Sequence, residues 1–209
     1  MVIKTKKQAL KKFPKGIKKL EIGSGDNPEK GYVHLDIQKG LPNLDVLADV
    51  RKMPLPDNFV SDHIRAVHIM EHFCHPEFAH KSLRKKYGTA LEVLSEAYRV
   101  LKPGGKFRIV TPDFEKICQS GASKRVDWNW LQRWSMGGYE NEYDIHHWLW
   151  THEDARKWFG QVGFKNLNDW NIVWNPLEIA KYKIFPPKEG DKNWHRYEWY
   201  HWLFFEGTK

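Results

Sequence analysis

The chain has 209 residues, of which 41% are hydrophobic and 14% aromatic, so it is long enough to bury one sizeable core as a single domain, 1–209. Its formal net charge of +8 suits an anionic partner, such as nucleic acid, a phosphorylated substrate or a membrane surface. Two cysteines are too few for a disulfide framework, and no apolar run resembles a signal peptide or a membrane span. We therefore expect a reduced, cytoplasmic environment.

The positive charge is concentrated near the amino terminus, in a basic segment, 1–17, and the two residues that follow it. Residues 4–13 have an amphipathic pattern that Pro14 and Gly16 interrupt, which predicts a short helix covering an edge of the fold or capping a pocket. A solvated helix explains this charge as well as a nucleic-acid-binding arm does. The lysines concerned are Lys4, Lys6, Lys7, Lys11, Lys12, Lys15, Lys18 and Lys19.

Two short apolar strands, 20–22 and 32–35, are joined by a glycine loop. Gly23-Ser24-Gly25 follows the first strand, where the backbone must turn sharply and approach a ligand closely, and glycine permits both. Asp36 follows the second strand, where a carboxylate can accept hydrogen bonds from both hydroxyls of a ribose. Because ligands of open α/β sheets bind outside the carboxyl ends of the strands, this pattern predicts a nucleoside-binding loop.

The loop departs from the dinucleotide-binding pattern, because Pro28 stands where the third glycine belongs and Asp36 follows Gly25 by only eleven residues. With Asp-Asn-Pro after the loop, the segment resembles the first motif of class I S-adenosylmethionine (SAM) dependent methyltransferases, in particular the small type 11 subgroup. The resemblance implies an α/β fold: a Rossmann-like, seven-stranded, mostly parallel sheet with one antiparallel strand and helices on both faces.

The same resemblance implies which residues bind the cofactor, SAM. A third strand, 44–50, carries an acidic residue near its end, which in these enzymes holds the adenine amino group while the next backbone N–H reaches the ring. These roles fall on Asp49 and Val50. The implied cofactor-binding residues are Glu21, Gly23, Ser24, Gly25, Asp36, Ile37, Asp49, Val50 and His68.

A fourth strand, 61–69, runs into the sequence Met-Glu-His-Phe. Residues 68–72, HIMEH, resemble the HVLEH segment after the fourth strand of type 11 enzymes, where the pocket floor meets the reactive methyl group. The Asn/Asp-Pro-Pro-aromatic tetrapeptide by which DNA and RNA amino-methyltransferases grip a flipped base does not occur here.

The central part of the chain supplies structural elements around this site. The polar insertion 76–88 predicts a solvated helix and loop at the pocket mouth. Residues 89–101 have a helical period, and 106–110 form a fifth strand. The stretch 97–114, AYRVLKPGGKFRIVTPDF, resembles the RVLKPGG signature of these methyltransferases, and Asp113 after the strand is expected at the pocket rim.

Aromatic and histidine residues crowd the stretch 127–150, with Gly137-Gly138 as a hinge. In this topology the segment after the fifth strand commonly supplies an acceptor lid, so we predict a lid over 122–150; the alternative is that these aromatics only pack over the sheet. Thr151 is the expected N-cap of a helix ending at Gly163. Strands at 167–174 and 194–206, connected through 182–193, would complete the sheet.

If the methyl acceptor is a hydroxyl or phenol, its proton must leave as the methyl group is attacked, and a neutral histidine is the usual base. The first candidate is His72, followed by His147 and His146, and Asp113 could orient the base. Histidines also recur at positions 68, 72, 75 and 80, a spacing that can hold a metal. Because an HExxH pattern and paired cysteines are missing, we predict no metal.

The predicted function is SAM-dependent methyl transfer to a small-molecule or carbohydrate acceptor, at oxygen. Two alternatives stay open. The lysines and aromatics suit a nucleic-acid (RNA) methyltransferase, whose binding would depend strongly on salt. A SAM-binding subunit without activity that serves a partner protein would also carry these motifs.

Overall fold

The structure is a computed structural model that describes residues 2–122, 128–138, 143–169 and 202–209. Seven strands form one sheet in the order β3-β2-β1-β4-β5-β7-β6. The strands are β1 (Ile17–Ile22), β2 (Val33–Asp36), β3 (Val46–Leu47), β4 (Val60–Val67), β5 (Lys106–Pro112), β6 (Lys165–Asp169) and β7 (Trp202–Thr208).

The sheet is parallel except at β7, which runs antiparallel to its neighbours β5 and β6. A short 3₁₀ helix, Met70–His72, follows β4. The α-helices among the described residues are α1 (Lys6–Lys12), α2 (Lys81–Tyr87), α3 (Ala90–Val100), α4 (Phe114–Ala122), α5 (Trp128–Met136) and α6 (His152–Val162). This architecture confirms the predicted Rossmann-like α/β fold.

The lengths of β3 and β5 differ from those predicted. The third strand has two residues, so Asp49 lies beyond its end, while the fifth extends to Pro112 because β7 pairs along its whole length. Residues 170–174 and 194–201 of the last predicted strands, and the connection 182–193, lie outside the described residues.

The basic amino-terminal segment lies against the β3 edge of the sheet. Ile3 is fully buried and forms a parallel bridge with Val46, and its N–H donates to the carbonyl oxygen of Asp45 at 2.8 Å. Helix α1 then starts at a capping box between Thr5 and Gln8. Of the two expected roles for this segment, covering an edge is the one that the contacts support.

Local capping signals determine where α3 and α6 begin and where α6 ends. Thr89 and Thr151 begin α3 and α6 with capping boxes, and Gly163 ends α6 in the left-handed conformation. The two helices pack against each other, and large aromatic side chains fill the core beneath them, each contributing about 1.5–3 kcal/mol by its burial. These fully buried aromatics are Phe107, Trp150, Trp158, Phe159 and Phe205. None of the helices in the described part of the chain is long and apolar enough to cross a membrane.

Candidate functional site

A cavity of about 450 Å³ opens at the carboxyl ends of β1, β2, β3 and β4. This is the edge at which open α/β sheets bind ligands, and the volume lies in the range of small-molecule sites. Its lining residues are Gly23, Gly25, Asp36, Ile37, Gln38, Asp49, Val50, Arg51, His68, Ile69, His72, Phe73, Lys86, Tyr87, Tyr143, Asp144, Ile145 and His147.

The glycine loop turns tightly at the mouth of β1. Gly23 and Gly25 have φ angles of +63° and +55°, which other residues rarely adopt. A Cβ atom on Gly23 would lie 1.8 Å from the Cδ1 atom of Ile69, so a side chain there would require Ile69 to move. The Gly23 N–H donates to the carbonyl oxygen of Leu35, which ties the loop to β2.

Asp36 holds the loop and faces the cavity. Its Oδ2 atom accepts a hydrogen bond from the Gly25 N–H at 3.0 Å, and its Oδ1 atom accepts one from the Gln38 N–H at 2.9 Å. The residue is buried, yet it lines the cavity. Because each carboxylate oxygen has a second lone pair, Asp36 keeps acceptor capacity for ligand hydroxyl groups.

Asp49 and Val50 follow β3 and also line the cavity. Arg51 donates from Nε to Oδ1 of Asp49 at 3.0 Å and from Nη2 to Oδ2 at 2.5 Å. Burial would raise the pKa of Asp49, but these hydrogen bonds outweigh it and lower that pKa. The carboxylate is therefore ionised and fixed in orientation at neutral pH.

Two predicted cofactor residues, Glu21 and Ser24, do not line the cavity. Glu21 is buried, accepts a hydrogen bond from the Glu29 N–H at 2.8 Å, and lies 3.4 Å from Nε of Arg65. Its place is therefore behind the loop, where it braces the chain after Gly25. The buried Ser24 hydroxyl has no hydrogen-bond partner among the described residues.

The exit of β4 brings His68 and Glu71 together. His68 has a φ angle of +52°, an uncommon conformation for a residue with a side chain, and its Nδ1 atom lies 3.0 Å from Oε1 of Glu71. Thr111 donates from its hydroxyl to Oε2 of the fully buried Glu71 at 2.9 Å. Burial would raise the pKa of Glu71, but the hydrogen bond and charge of His68, with the charges of His72 and His146, lower it to about 2.

Of the three candidate bases, His72 and His147 line the cavity and His146 does not. The pKa of His147 is lowered by burial and then by the charges of His72 and Lys86, so its ring is neutral at physiological pH. Burial likewise lowers the pKa of His146, whose Nδ1–H donates to the Trp134 carbonyl oxygen at 2.9 Å.

The residue that sequence reasoning passed over is Glu71. Three side chains come together here, those of Glu71, His72 and His146. Each has an oxygen or nitrogen atom able to bind a metal ion, and these atoms all lie within 4.8 Å of one another. The ring centroids of His72 and His146 are 5.1 Å apart. The histidine group weighed from the sequence, at positions 68, 72, 75 and 80, shares only His72 with this set. The available signal was the place of Glu71 inside the HIMEH segment.

Asp113 is not at the cavity rim and does not orient a candidate base. It is buried, and its Oδ2 atom lies 3.4 Å from Nε2 of His152 and 3.5 Å from Nζ of Lys116. The interaction with Asp113 is the main cause that raises the pKa of His152. The expected contact with a base is replaced by this ion pair because Asp113 forms a parallel bridge with Trp150, two residues before His152 at the start of α6.

The predicted lid segment divides between the cavity and the core. Tyr143, Asp144, Ile145 and His147 line the cavity. Trp150 is fully buried and Trp148 stacks on it with ring centroids 4.3 Å apart, as the packing alternative expected. Residues 123–127 and 139–142 of this segment lie outside the described residues.

Solved structures similar to this chain include SAM-dependent methyltransferases. The methyltransferase bound to the Haloferax volcanii Trm112 methyltransferase activator is 20% identical, with a TM-score of 0.53 over 98% of this chain and 88% of that one. A SAM-dependent methyltransferase from Thermotoga maritima is 16% identical, with a TM-score of 0.52 over 98% and 87% of the two chains. Haemonchus contortus phosphoethanolamine N-methyltransferase 2, in complex with SAM, is 15% identical with a TM-score of 0.53, over 98% of this chain and 52% of that one.

At these low identities the likeness establishes the fold, which is that of the class I SAM-dependent methyltransferases. No protein-family model matches the chain. No curated protein matches it either.

Proposed function

We propose that the protein is a SAM-dependent methyltransferase that acts on an oxygen atom of a small-molecule or carbohydrate acceptor. The observation that carries the proposal is the single cavity in which the Gly23 to Gly25 loop and Asp36 face His72 and His147. The fold supports the reaction class, since the solved neighbours include a methyltransferase bound to SAM.

The residues present fit the cofactor. Gly23 turns the loop with a positive φ angle and packs closely against Ile69, and Asp36 keeps free acceptor capacity at the end of the adjacent strand. SAM would be held by the backbone of this loop, by Asp36 at the ribose, and by Asp49 and Val50 at the adenine. The type 11 subgroup, the cytoplasmic location, and the division into a single domain, 1–209, with a cap, 1–17, and a lid, 122–150, stay predictions.

Bound SAM would supply a methyl group made electrophilic by its sulfonium. The protein has to bring the acceptor oxygen into line with that group and remove its proton. Of the candidate bases, His72 and His147 line the cavity, and an imidazole accepts a proton at the ring nitrogen that carries a lone pair. Phe73, Tyr87 and Tyr143 offer the acceptor flat apolar faces.

The nucleic-acid alternative receives no direct support from the basic segment. Within residues 2–22, the described part of the chain before Gly23, none lines the cavity, and Lys12 is paired with Asp45 at 2.6 Å on the β3 side of the sheet. We therefore prefer a small acceptor. Strongly salt-dependent binding of RNA to the protein would reverse that preference.

Calorimetric titration with SAM and with its demethylated product tests the proposal, using Asp36→Ala and a matched Asp62→Ala control. Asp62 is a half-exposed carboxylate on β4 outside the cavity. We expect the wild type and the control to bind SAM alike, and Asp36→Ala to bind roughly 10- to 100-fold more weakly, because a charged hydrogen bond contributes about 1.5–3 kcal/mol. Absence of SAM binding by the folded wild type would contradict the proposal.

A further inference from the structure

Beside the cavity floor, Glu71, His72 and His146 form a group that methyl transfer by a single base leaves unexplained. Within residues 2–122, 128–138, 143–169 and 202–209, this is the one set of three or more histidine, cysteine or acidic side chains whose ligand atoms all lie within 4.8 Å of one another. A general base requires one histidine, whereas this group joins two imidazoles to a fully buried carboxylate. Two imidazoles and one carboxylate are a common donor set for divalent transition metals.

The hydrogen bonds of the two histidines determine which ring nitrogen carries the proton. The Nδ1 atom of His72 lies 3.1 Å from the carbonyl oxygen of Ile145, and that of His146 lies 2.9 Å from the carbonyl oxygen of Trp134. A carbonyl oxygen only accepts, so each Nδ1 is the donor, which leaves Nε2 as the ring atom that can bind a metal ion. Metal-binding histidines are oriented in this way, with the other ring N–H donated to a backbone carbonyl or a carboxylate.

The carboxylate of Glu71 is likewise oriented by hydrogen bonds. Its two oxygens accept from Thr111 and His68, which fixes the carboxylate while each oxygen keeps a second lone pair. In the described parts of the chain no lysine or arginine forms an ion pair with it, and its nearest ion-pair partner is His68. Buried carboxylates in proteins are paired with other groups or bind metal ions.

We propose that Glu71, His72 and His146 bind one divalent transition-metal ion through a carboxylate oxygen and the two Nε2 atoms. Metal–ligand bonds of about 2.0–2.2 Å place ligand atoms roughly 3–3.5 Å apart, so ligand atoms that lie up to 4.8 Å apart here would have to approach one another by about 1–2 Å. The two ligand-bearing segments are already joined, because the His147 N–H donates to the Glu71 carbonyl oxygen at 2.8 Å.

His72 lines the cavity, so coordination positions left open by the protein would face the acceptor and take one of its oxygen atoms. This last step rests on the proposed methyltransferase function, whereas binding of the cation does not. With the Nε2 lone pair of His72 on the metal, the role of base passes to His147.

Titration of the untagged, chelator-treated protein with Co²⁺, followed by calorimetry and by the visible absorption of the bound ion, tests the site. His72→Asn and His146→Asn keep an N–H donor close to the position of Nδ1 and remove Nε2. His80→Asn is the matched control, since it removes an exposed imidazole from the N-cap of α2 and keeps a capping oxygen.

We expect the wild type and His80→Asn to bind one equivalent of Co²⁺. Each ligand variant should bind it at least about 100-fold more weakly, a larger loss of affinity than replacing a residue that only orients a ligand usually causes. Circular dichroism of the metal-free variants establishes which are folded, and one folded ligand variant is enough to decide. No stoichiometric binding by the wild type, or equal affinity in a folded ligand variant, overturns the inference. A SAM titration of the metal-free protein separates this outcome from failure of the proposed function.

Discussion

His147 is the residue on which the proposed chemistry depends if His72 binds a cation. It lines the cavity, and burial lowers its pKa below the ordinary value of 6.5. Its ring lies 4.0 Å from that of Tyr87, and its backbone N–H is anchored on Glu71. A neutral, anchored imidazole facing the acceptor has the properties of a general base.

We expect His147→Ala to lower kcat by about 10²- to 10⁴-fold, the usual contribution of general-base catalysis, with little change in SAM affinity. In the wild type, kcat should fall only as the pH drops below the lowered pKa of this histidine, because the ring is an effective base only when neutral. Methyl uptake as a function of pH, with the acceptor that a hydroxyl-compound screen identifies, measures both effects. A variant that retains full kcat would assign the proton to another group.

The glycine loop is the element that shapes the cofactor site, and its requirement for glycine has two separate causes. Gly23 combines a positive φ angle with direct contact against Ile69. Gly31 also has a positive φ angle, +86°, but a Cβ atom there would have nothing within 4 Å. Alanine variants of Gly31 and Gly23 therefore separate the cost of backbone strain from the cost of contact with Ile69.

We expect Gly31→Ala to lower the free energy of unfolding by about 1–2 kcal/mol, the cost of a left-handed conformation. Gly23→Ala should lower it by about 1–3 kcal/mol more, because Ile69 must be displaced, and should weaken SAM binding. Urea unfolding of both variants gives the comparison. Equal losses in the two variants would show that the contact with Ile69 relaxes freely.

Helix and strand positions were largely predictable because their signals are local. Thr89 and Thr151 each precede a helical period with an acidic residue three positions on, and both begin helices as expected. The third strand was predicted too long, since an apolar run of residues does not show where pairing ends. Helix α4 had no separate signal beside the aromatic stretch that follows it.

At the scale of the whole molecule, His152 joins three elements that are distant in the chain. At the start of α6, its Nε2 atom lies 3.4 Å from Asp113, beyond the end of β5, and its Nδ1 atom lies 2.8 Å from Asp169, at the end of β6. The interaction with Asp113 is the main cause that raises the pKa of His152, and Asp169 adds to it. For Asp113, burial opposes the shift, but the interaction with His152 lowers the pKa of its carboxyl.

A raised histidine pKa contributes stability that is present below the unfolded value of 6.5 and is lost as the pH rises through the folded value. The depressed pKa of Asp113 requires a pH above its unfolded value of 3.8. We therefore expect His152→Asn to lower the free energy of unfolding most between those two values, by about 1 kcal/mol or less because the pair is partly exposed. Thermal unfolding across pH 4 to about 9 measures this. If the variant loses as much stability at about pH 9 as at lower pH, the contribution of His152 comes from its packing and not from its charge.

The sequence alone determined the α/β fold class, the glycine loop and the acid that follows the second strand, because strand pattern, turn residues and caps act over a few neighbouring positions. The tertiary structure alone decided that Glu71 and His146 meet His72, which bonds to a carbonyl 73 positions away. It also placed Glu21 behind the loop and paired Asp113 with His152. These contacts form where β4, β5 and the segment before α6 meet. The three segments are distant in the chain, so their meeting depends on tertiary packing and is not visible in a local sequence pattern.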